Sequence, residues 1–283
     1  MNDKDLGTLA PPTEARSHSN FSRRSFLTTA AVTGAIAMLP VSLLAATNPS
    51  FQVADNKNNA GLAQGDTDIL IAAEIAEALA VTTYTHIINS APFFSRLPND
   101  DQGYLLAARQ EEMSHYRLEE SVTQQPTPFT KFFYPQTMFD DAQVTLNTLV
   151  TLEDAFIAAY LVGVRQFSTA DFRVTAARIM GIESDHRTLA RVLASDVAKQ
   201  DGGPIEKITG IQGVAESVDP PNNNGYERTL KWTQIAQAVA ALTPFVDETA
   251  AAAGGFDTRR AFKFEPFTPV LPTRLGDFIS FAG

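Results

Sequence analysis

Two copies of the pattern Glu-x-x-His carry the residues that could do chemistry in this chain. The copies are Glu112-Met113-Ser114-His115 and Glu183-Ser184-Asp185-His186. Each copy has a glutamate upstream that is followed seven residues later by a tyrosine, giving the pairs Glu77 with Tyr84 and Glu153 with Tyr160. Four carboxylates and two imidazoles in a repeated arrangement are what a helix bundle needs to hold two metal ions.

The spacing within each copy explains why these residue types suit a metal pair. Residues three apart lie on one face of an α-helix, about 5–6 Å from each other. The glutamate could therefore bridge two ions while the histidine binds one of them. Neutral imidazole suits iron, manganese or zinc, and carboxylates suit hard, higher-charged ions. The pattern predicts a dinuclear centre of four Glu and two His, with positions left open for oxygen, peroxide or water.

Neighbouring acids leave two choices of register open. Glu111 competes with Glu112, but the residue three places after Glu111 is Ser114, so we expect Glu111 to face solvent. Glu74 lies one turn before Glu77, and Glu77 is preferred because it stands seven residues before a tyrosine.

Other residues near the candidate ligands have simpler interpretations. We expect Asp154 and Asp185 to be solvated, because they adjoin candidate ligands but lie on other helix faces. His86 has no acidic partner at the required offset and is predicted to be an ordinary helix residue. Tyr84 and Tyr160 could also be core aromatics without a role at the metals.

Four helices and one crossover must position the candidate ligands. Helical periodicity predicts a first helix over 67–89, capped by Asp66 or Thr67, and a second from 99 or 100 to 122. A third helix is predicted over 140–167, and a fourth runs to 199 after a cap at Ser168 or Thr169. The stretch 123–136 has three prolines and no helical period, so we expect it to carry the chain between opposite ends of a bundle.

The predicted fold class is therefore all-α. It consists of a four-helix bundle with one long crossover at 66–199, a flexible lead-in at 47–65, and a loop, fifth helix and extended tail at 200–283. The fifth helix is predicted from Tyr226 to Ala252 with a bend at Pro244. The aromatic and proline-rich tail is expected to pack on the bundle or on a partner.

Residues 1–46 are predicted to be an export signal. The segment Ser22-Arg23-Arg24-Ser25-Phe26-Leu27 resembles the twin-arginine motif, an apolar run follows it, and Ala45 and Ala46 offer a cleavage site. An uncleaved membrane anchor is the alternative, because the run is long enough to span a bilayer. We expect a periplasmic or otherwise exported protein that uses the twin-arginine export machinery.

Composition excludes several classes of function. The chain has no cysteine, which excludes disulfides, thiolate metal sites, cysteine nucleophiles and iron–sulfur clusters. Its formal net charge of −10 argues against a nucleic-acid partner bound through a basic face.

The residues above resemble those of the ferritin-like family of carboxylate-bridged dimetal proteins, which includes bacterioferritins, rubrerythrins and manganese catalases. The resemblance covers roughly residues 66–199. It implies that Glu112 and Glu183 are bridging ligands and that Glu77 and Glu153 are terminal carboxylate ligands. It also implies one histidine for each metal, His115 for the first and His186 for the second. It further implies that Tyr84 and Tyr160 lie near the metals and form hydrogen bonds with ligand carboxylates.

The same resemblance implies a function. We expect an exported oxidoreductase with two iron ions, or alternatively two manganese ions, that oxidises Fe²⁺ or removes peroxide. The expected partners are metal ions and oxygen or peroxide, and a homodimer is expected. The alternative from another class is a non-catalytic exported stress protein whose metal site is structural or lost.

Overall fold

The structure is a computed structural model that describes residues 62–203, 208–211, 215–216, 221 and 231–270. The predicted export signal, most of the predicted lead-in and the predicted start of the fifth helix at Tyr226 lie outside the described residues.

Two helical hairpins form the body of the fold. The first hairpin consists of α1 (Gln64–Ser90) and α2 (Asn99–Thr123), which are connected through a short 3₁₀ helix (Phe94–Arg96). The second hairpin consists of α3 (Ala142–Gln166) and α4 (Ala170–Gln200). The hairpins pack together mainly through α1 and α3, whereas α2 and α4 touch more sparsely. The prediction of an all-α bundle is confirmed, and a small sheet is added to it.

Side-chain caps fix the starts of the second hairpin's helices. The Asp141 carboxylate accepts from the backbone N–H of Val144, and the Thr169 hydroxyl accepts from the backbone N–H of Phe172. Of the two predicted caps for α4, the structure therefore uses Thr169.

The start of α1 differs from the prediction. The helix begins at Gln64 after Ala63, so neither Asp66 nor Thr67 is its N-cap. Asp66 is buried in the first turn, and it accepts hydrogen bonds from the backbone N–H and the hydroxyl of Ser168. A long-range contact thus replaces the predicted local cap and ties α1 to the loop between α3 and α4.

The crossover between α2 and α3 contains a strand that helical periodicity did not predict. Strand β1 (Lys131–Pro135) pairs antiparallel with β2 (Phe256–Lys263) from the C-terminal region. The pairs are Lys131 with Lys263, Phe132 with Phe262, Tyr134 with Asp257 and Pro135 with Phe256, with an irregularity between the second and third pairs. Within the described part of the predicted tail, β2 packs on the bundle as a strand.

The predicted fifth helix is two helices in the structure. Helix α5 (Ile235–Val246) contains Pro244 and ends two residues after it, and α6 (Glu248–Ala253) follows. Asp247 causes the break because it is extended and caps α6 by accepting from the backbone N–H of Ala250. The prediction of one bent helix is corrected to two helices with a cap between them.

The largest hydrophobic core joins both hairpins to the sheet and to α5 and α6. Within the described residues, α3 alone is long and apolar enough to cross a membrane by length and composition. Of its most apolar window, 72% is buried inside the protein, which is also the pattern of a bundle's core helix.

Candidate metal centre

All six candidate ligands converge inside the bundle. Their ligand atoms form two groups, and within each group the atoms lie within 4.8 Å of one another. Both groups contain Glu112 and Glu183, each of which is 0% exposed. The first group adds the α1 and α2 residues Glu77 and His115, and the second adds Glu153 and His186 from α3 and α4. Two overlapping groups with two shared carboxylates are the geometry of a dinuclear centre.

Both histidines direct Nδ1 toward the shared carboxylates. The Nδ1 atom of His115 lies 3.2 Å from Glu183 Oε1 and 3.6 Å from Glu112 Oε2. The Nδ1 atom of His186 lies 2.9 Å from Glu112 Oε1 and 3.6 Å from Glu183 Oε2. Each imidazole therefore contacts a glutamate of its own helix and one from the opposite hairpin.

Two tyrosines connect α1 and α3 across the centre. The hydroxyl of Tyr84 on α1 donates to Glu153 Oε1 on α3, at 2.7 Å. In the reverse direction, Tyr160 on α3 donates to Glu77 Oε1 on α1. These crossed hydrogen bonds hold the two terminal carboxylates, as the family resemblance implied, and the tyrosines are more than core aromatics.

The terminal carboxyl groups resist ionisation as long as no cation is beside them. Burial raises the pKa of Glu77 and of Glu153 well above the ordinary carboxyl value, and the charges of Glu112 and Glu183 raise it further. A cation bound between these groups would relieve that repulsion. The carboxylates therefore favour an added positive charge.

The imidazoles already supply part of that positive charge. Burial disfavours a charged His115 or His186, but adjacent carboxylates outweigh it and raise the pKa of both well above the ordinary value. Burial likewise disfavours ionised Glu112, but the charge of His186 and the proximity of both imidazoles hold its pKa below the ordinary range. Metal ions must displace these protons, so metal affinity falls as pH falls.

The donor set fits two metal ions. Several buried ligand atoms have no hydrogen-bond partner within the described part of the chain: Glu77 Oε2, Glu112 Oε2, Glu153 Oε2, both oxygens of Glu183 and Nδ1 of His115. Buried polar atoms without partners are costly. Coordination by iron, manganese or zinc would satisfy carboxylate oxygens and imidazole nitrogens alike.

Glu111 has a role that its predicted solvent-facing position did not include. Its side chain is 39% exposed, and its Oε2 accepts from Nε2–H of His186 at 2.9 Å. A carboxylate on the far nitrogen of a metal-binding histidine fixes the orientation of the ring. Since His115 is also 12% exposed, these two α2 residues mark the side of the centre that faces solvent.

The alternative register at Glu74 is not used by either group, but Glu74 is fully buried. Glu119 is buried as well, and it was missed, although it follows His115 by four residues and so shares its helix face. The Tyr160 hydroxyl lies 2.7 Å from Glu119 Oε1. Helical spacing alone could have identified Glu119.

Among the other predicted residues, Asp154 requires a correction. It is buried rather than solvated, because Arg187 Nη1 at 2.6 Å and Lys231 Nζ at 2.8 Å neutralise its carboxylate. Asp185 is exposed as expected. His86 packs against the rings of Phe139 and Phe262 and belongs to neither ligand group.

Comparison with known families agrees with this geometry. A family model of the ferritin-like domain matches residues 65–196, which include nearly all of α1 to α4 and all six candidate ligands. This match supports the ferritin-like superfamily for the bundle. The comparison with curated proteins gives no match, and the comparison with solved structures gives none either.

Proposed function

We propose that the ferritin-like domain of this chain holds two iron ions, or two manganese ions, and acts as an exported oxidoreductase on Fe²⁺ or peroxide. The observation that supports the proposal most strongly is the pair of overlapping ligand groups that share Glu112 and Glu183. Bound iron or manganese would supply one-electron chemistry between the +2 and +3 states.

The protein's own residues set the conditions for that chemistry. Tyr84 and Tyr160 hold the terminal carboxylates from the opposite helix, and Glu111 holds the ring of His186. Glu112 and Glu183 are shielded from water because they are fully buried. His115 and Glu111 are partly exposed, so small molecules are expected to reach the centre from their side.

Two reactions satisfy the electron balance. In the first, two Fe²⁺ ions as substrate lose one electron each, and O₂ takes up two electrons and two protons to give H₂O₂. In the second, two H₂O₂ give two H₂O and one O₂. The absence of cysteine excludes a thiolate-held electron-transfer centre within the chain, so electrons come from the substrate or from a separate donor.

Metal analysis with matched variants tests the proposal. Protein purified from its own host is expected to contain iron or manganese, and Glu183→Ala with His186→Ala is expected to lose two equivalents per chain, because Glu183 belongs to both groups. The control is Asp185→Ala, an exposed acid on the same helix, which should retain full metal content. Unchanged metal content in the Glu183 and His186 variant would remove the ligand assignment.

Activity measurements then separate the reactions. Oxygen uptake on addition of Fe²⁺ supports ferrous oxidation, and oxygen evolution from peroxide supports the manganese-catalase-like reaction. Glu112→Ala with His115→Ala should abolish either activity with the helix content retained. A wild-type protein without turnover whose variant also unfolds would favour the structural-metal alternative.

Export by the twin-arginine route is part of the proposal and is supported by the sequence motif at Ser22–Leu27. Replacing Arg23 and Arg24 by lysine should retain the protein in the cytoplasmic fraction of its host. Continued export of that variant would contradict this route.

A further inference from the structure

A second group of acidic side chains lies beside the metal centre, on α1 and α2. Glu74 precedes Glu77 by three residues, and Glu119 follows His115 by four, so each shares a helix face with a candidate ligand. Glu74 is 0% exposed and Glu119 is 3% exposed. Neither belongs to the two ligand groups of the dinuclear centre. Burial raises the pKa of Glu119 well above the ordinary carboxyl value, and the charge of Glu74 raises it further, so the two side chains are neighbours. They form a separate acidic layer, one helical turn away along the first hairpin.

Hydroxyl groups contact one oxygen of each carboxylate and leave the other without a partner. Thr123 Oγ1 donates to Glu74 Oε1, and the Tyr160 hydroxyl contacts Glu119 Oε1. The Oε2 atoms of Glu74 and Glu119 are buried and have no hydrogen-bond partner in the part of the chain that the structure describes. Leaving buried carboxylates in this state is costly unless another group or ion satisfies them.

The Tyr160 hydroxyl is shared between two carboxyl groups and so cannot fully satisfy Glu119. Its oxygen lies between Glu119 Oε1 and Glu77 Oε1. A phenol has one proton to donate, so it can serve only one ionised carboxylate at a time. Glu119 and Glu77 therefore compete for the same donor.

Two other buried acids of this protein are paired with basic side chains. Asp154 contacts Arg187 and Lys231, and Glu216 contacts Arg191. Within the described ranges, no Lys or Arg forms an ion pair with the two acids of the additional layer. Glu74 and Glu119 therefore lack the basic partner that Asp154 and Glu216 have.

We propose that Glu74 and Glu119, with the hydroxyl oxygens of Thr123 and Tyr160, bind one divalent cation in addition to the dinuclear centre. An all-oxygen set of two carboxylates and two hydroxyls suits hard cations such as Mn²⁺, Mg²⁺ or Fe²⁺. The neighbouring Glu120 is 26% exposed and is ion-paired with Arg117, so it is not counted among the ligands. Because Tyr160 contacts both Glu119 and Glu77, the additional site adjoins the dinuclear centre directly.

The repeat between the hairpins provides the matched variant. When Glu77 is aligned with Glu153 and Glu112 with Glu183, Glu74 corresponds to Val150 and Glu119 corresponds to Ala190. Both counterparts are fully buried. Glu74→Val with Glu119→Ala therefore introduces residues that the same fold already accommodates.

Equilibrium dialysis of the full chain against Mn²⁺ alone tests the proposal. We expect three equivalents for the wild type and two for Glu74→Val with Glu119→Ala. Glu74→Gln with Glu119→Gln keeps the side-chain volume, removes the charge and should also bind two. Asp140→Asn with Asp185→Asn, which neutralises two exposed acids, should still bind three.

Equal stoichiometry in the wild type and in the folded glutamine variant overturns the proposal. If the proposed dinuclear centre does not bind metal, the stoichiometries differ from these. The experiment therefore distinguishes the proposal of the additional site from the proposal of the dinuclear centre. If only the additional site binds metal, the wild type binds one Mn²⁺, the Glu183→Ala, His186→Ala variant also binds one, and the Glu74 and Glu119 variants bind none. If both proposals hold, the Glu183→Ala, His186→Ala variant retains one of three.

Discussion

The two hairpins supply matching ligands to one centre but treat buried charge differently. In the second hairpin, the buried acid that follows the candidate ligand Glu153 in the chain is Asp154, which is neutralised by Arg187 and Lys231. In the first hairpin, Glu74 and Glu119 are buried with hydroxyl partners alone. The repeated ligand set therefore stands in two different electrostatic environments.

The two histidines differ as well. His186 is 5% exposed, and Glu111 holds its Nε2. His115 is 12% exposed, and within the described residues its Nε2 makes no hydrogen bond. An oriented ring binds metal more tightly than a free one. The ion beside His115 should therefore exchange faster than the ion beside His186, although the residue types are the same.

The largest expected effect concerns the buried acids of the first hairpin. Burial raises the pKa of Glu74 from its ordinary value of 4.5 to about 7. The folded protein then keeps a proton that the unfolded chain has released, so stability is fully present below pH 4.5 and falls as pH rises toward 7. The rise in pKa from 4.5 to about 7 corresponds to at most about 3 kcal/mol in the free energy of unfolding. Glu74→Gln should therefore stabilise the metal-free protein at pH 8 by up to that amount, and by nothing near pH 4.5.

Urea unfolding at several pH values in the presence of a chelator measures this difference. Glu248→Gln, at an exposed position of α6, serves as the control and should change stability little at any pH. A stability difference between Glu74→Gln and wild type that does not vary with pH would contradict the assigned cause.

The next effect separates the two metal positions. Glu111→Gln weakens the hydrogen bond to His186 Nε2 and should lower the affinity of one metal ion about 10- to 100-fold. The second ion should be affected less, because Glu111 does not contact His115. Calorimetric titration of the metal-free protein with Mn²⁺ measures both affinities. Asp185→Asn is the matched control. An equal loss of affinity at both metal positions would contradict the proposed difference between His115 and His186.

The smallest effect compares the two crossed tyrosines. Tyr84→Phe removes a hydrogen bond to Glu153 alone, whereas Tyr160→Phe removes contacts to Glu77 and Glu119. A typical hydrogen bond contributes about 0.5–1.5 kcal/mol, so Tyr160→Phe, which removes one contact more than Tyr84→Phe, should destabilise the metal-free protein by about 1 kcal/mol more. Thermal or urea unfolding of both variants measures this difference. Equal destabilisation would indicate that Glu119 gains nothing from Tyr160.

The residues of the centre could be predicted because local rules determine them. The helical period places Glu112 with His115, and Glu183 with His186, on single faces, and the repeated offset selects Glu77 and Glu153. The same rule applies to Glu119, which was overlooked because it lies outside the Glu-x-x-His pattern. The crossover and the four-helix order follow from prolines and periodicity in the same way.

The remaining features depend on partners that are distant in sequence. Burial of Asp154 depends on Lys231, which is 77 residues away, and the position of Asp66 depends on Ser168. Strand β1 has β-forming aromatics, but its assignment as a strand requires β2 from the other end of the chain. Periodicity within one segment contains no information on such pairings.

The sheet has a consequence for the order of folding. Residue 131 pairs with residue 263, so 132 positions separate the two chain segments in sequence. During synthesis, all four bundle helices emerge while the edge of β1 still lacks its partner, and contacts between such distant segments form slowly. A ribosome that stops before Phe256 would release a chain with an open strand edge, which favours self-association over a soluble intermediate.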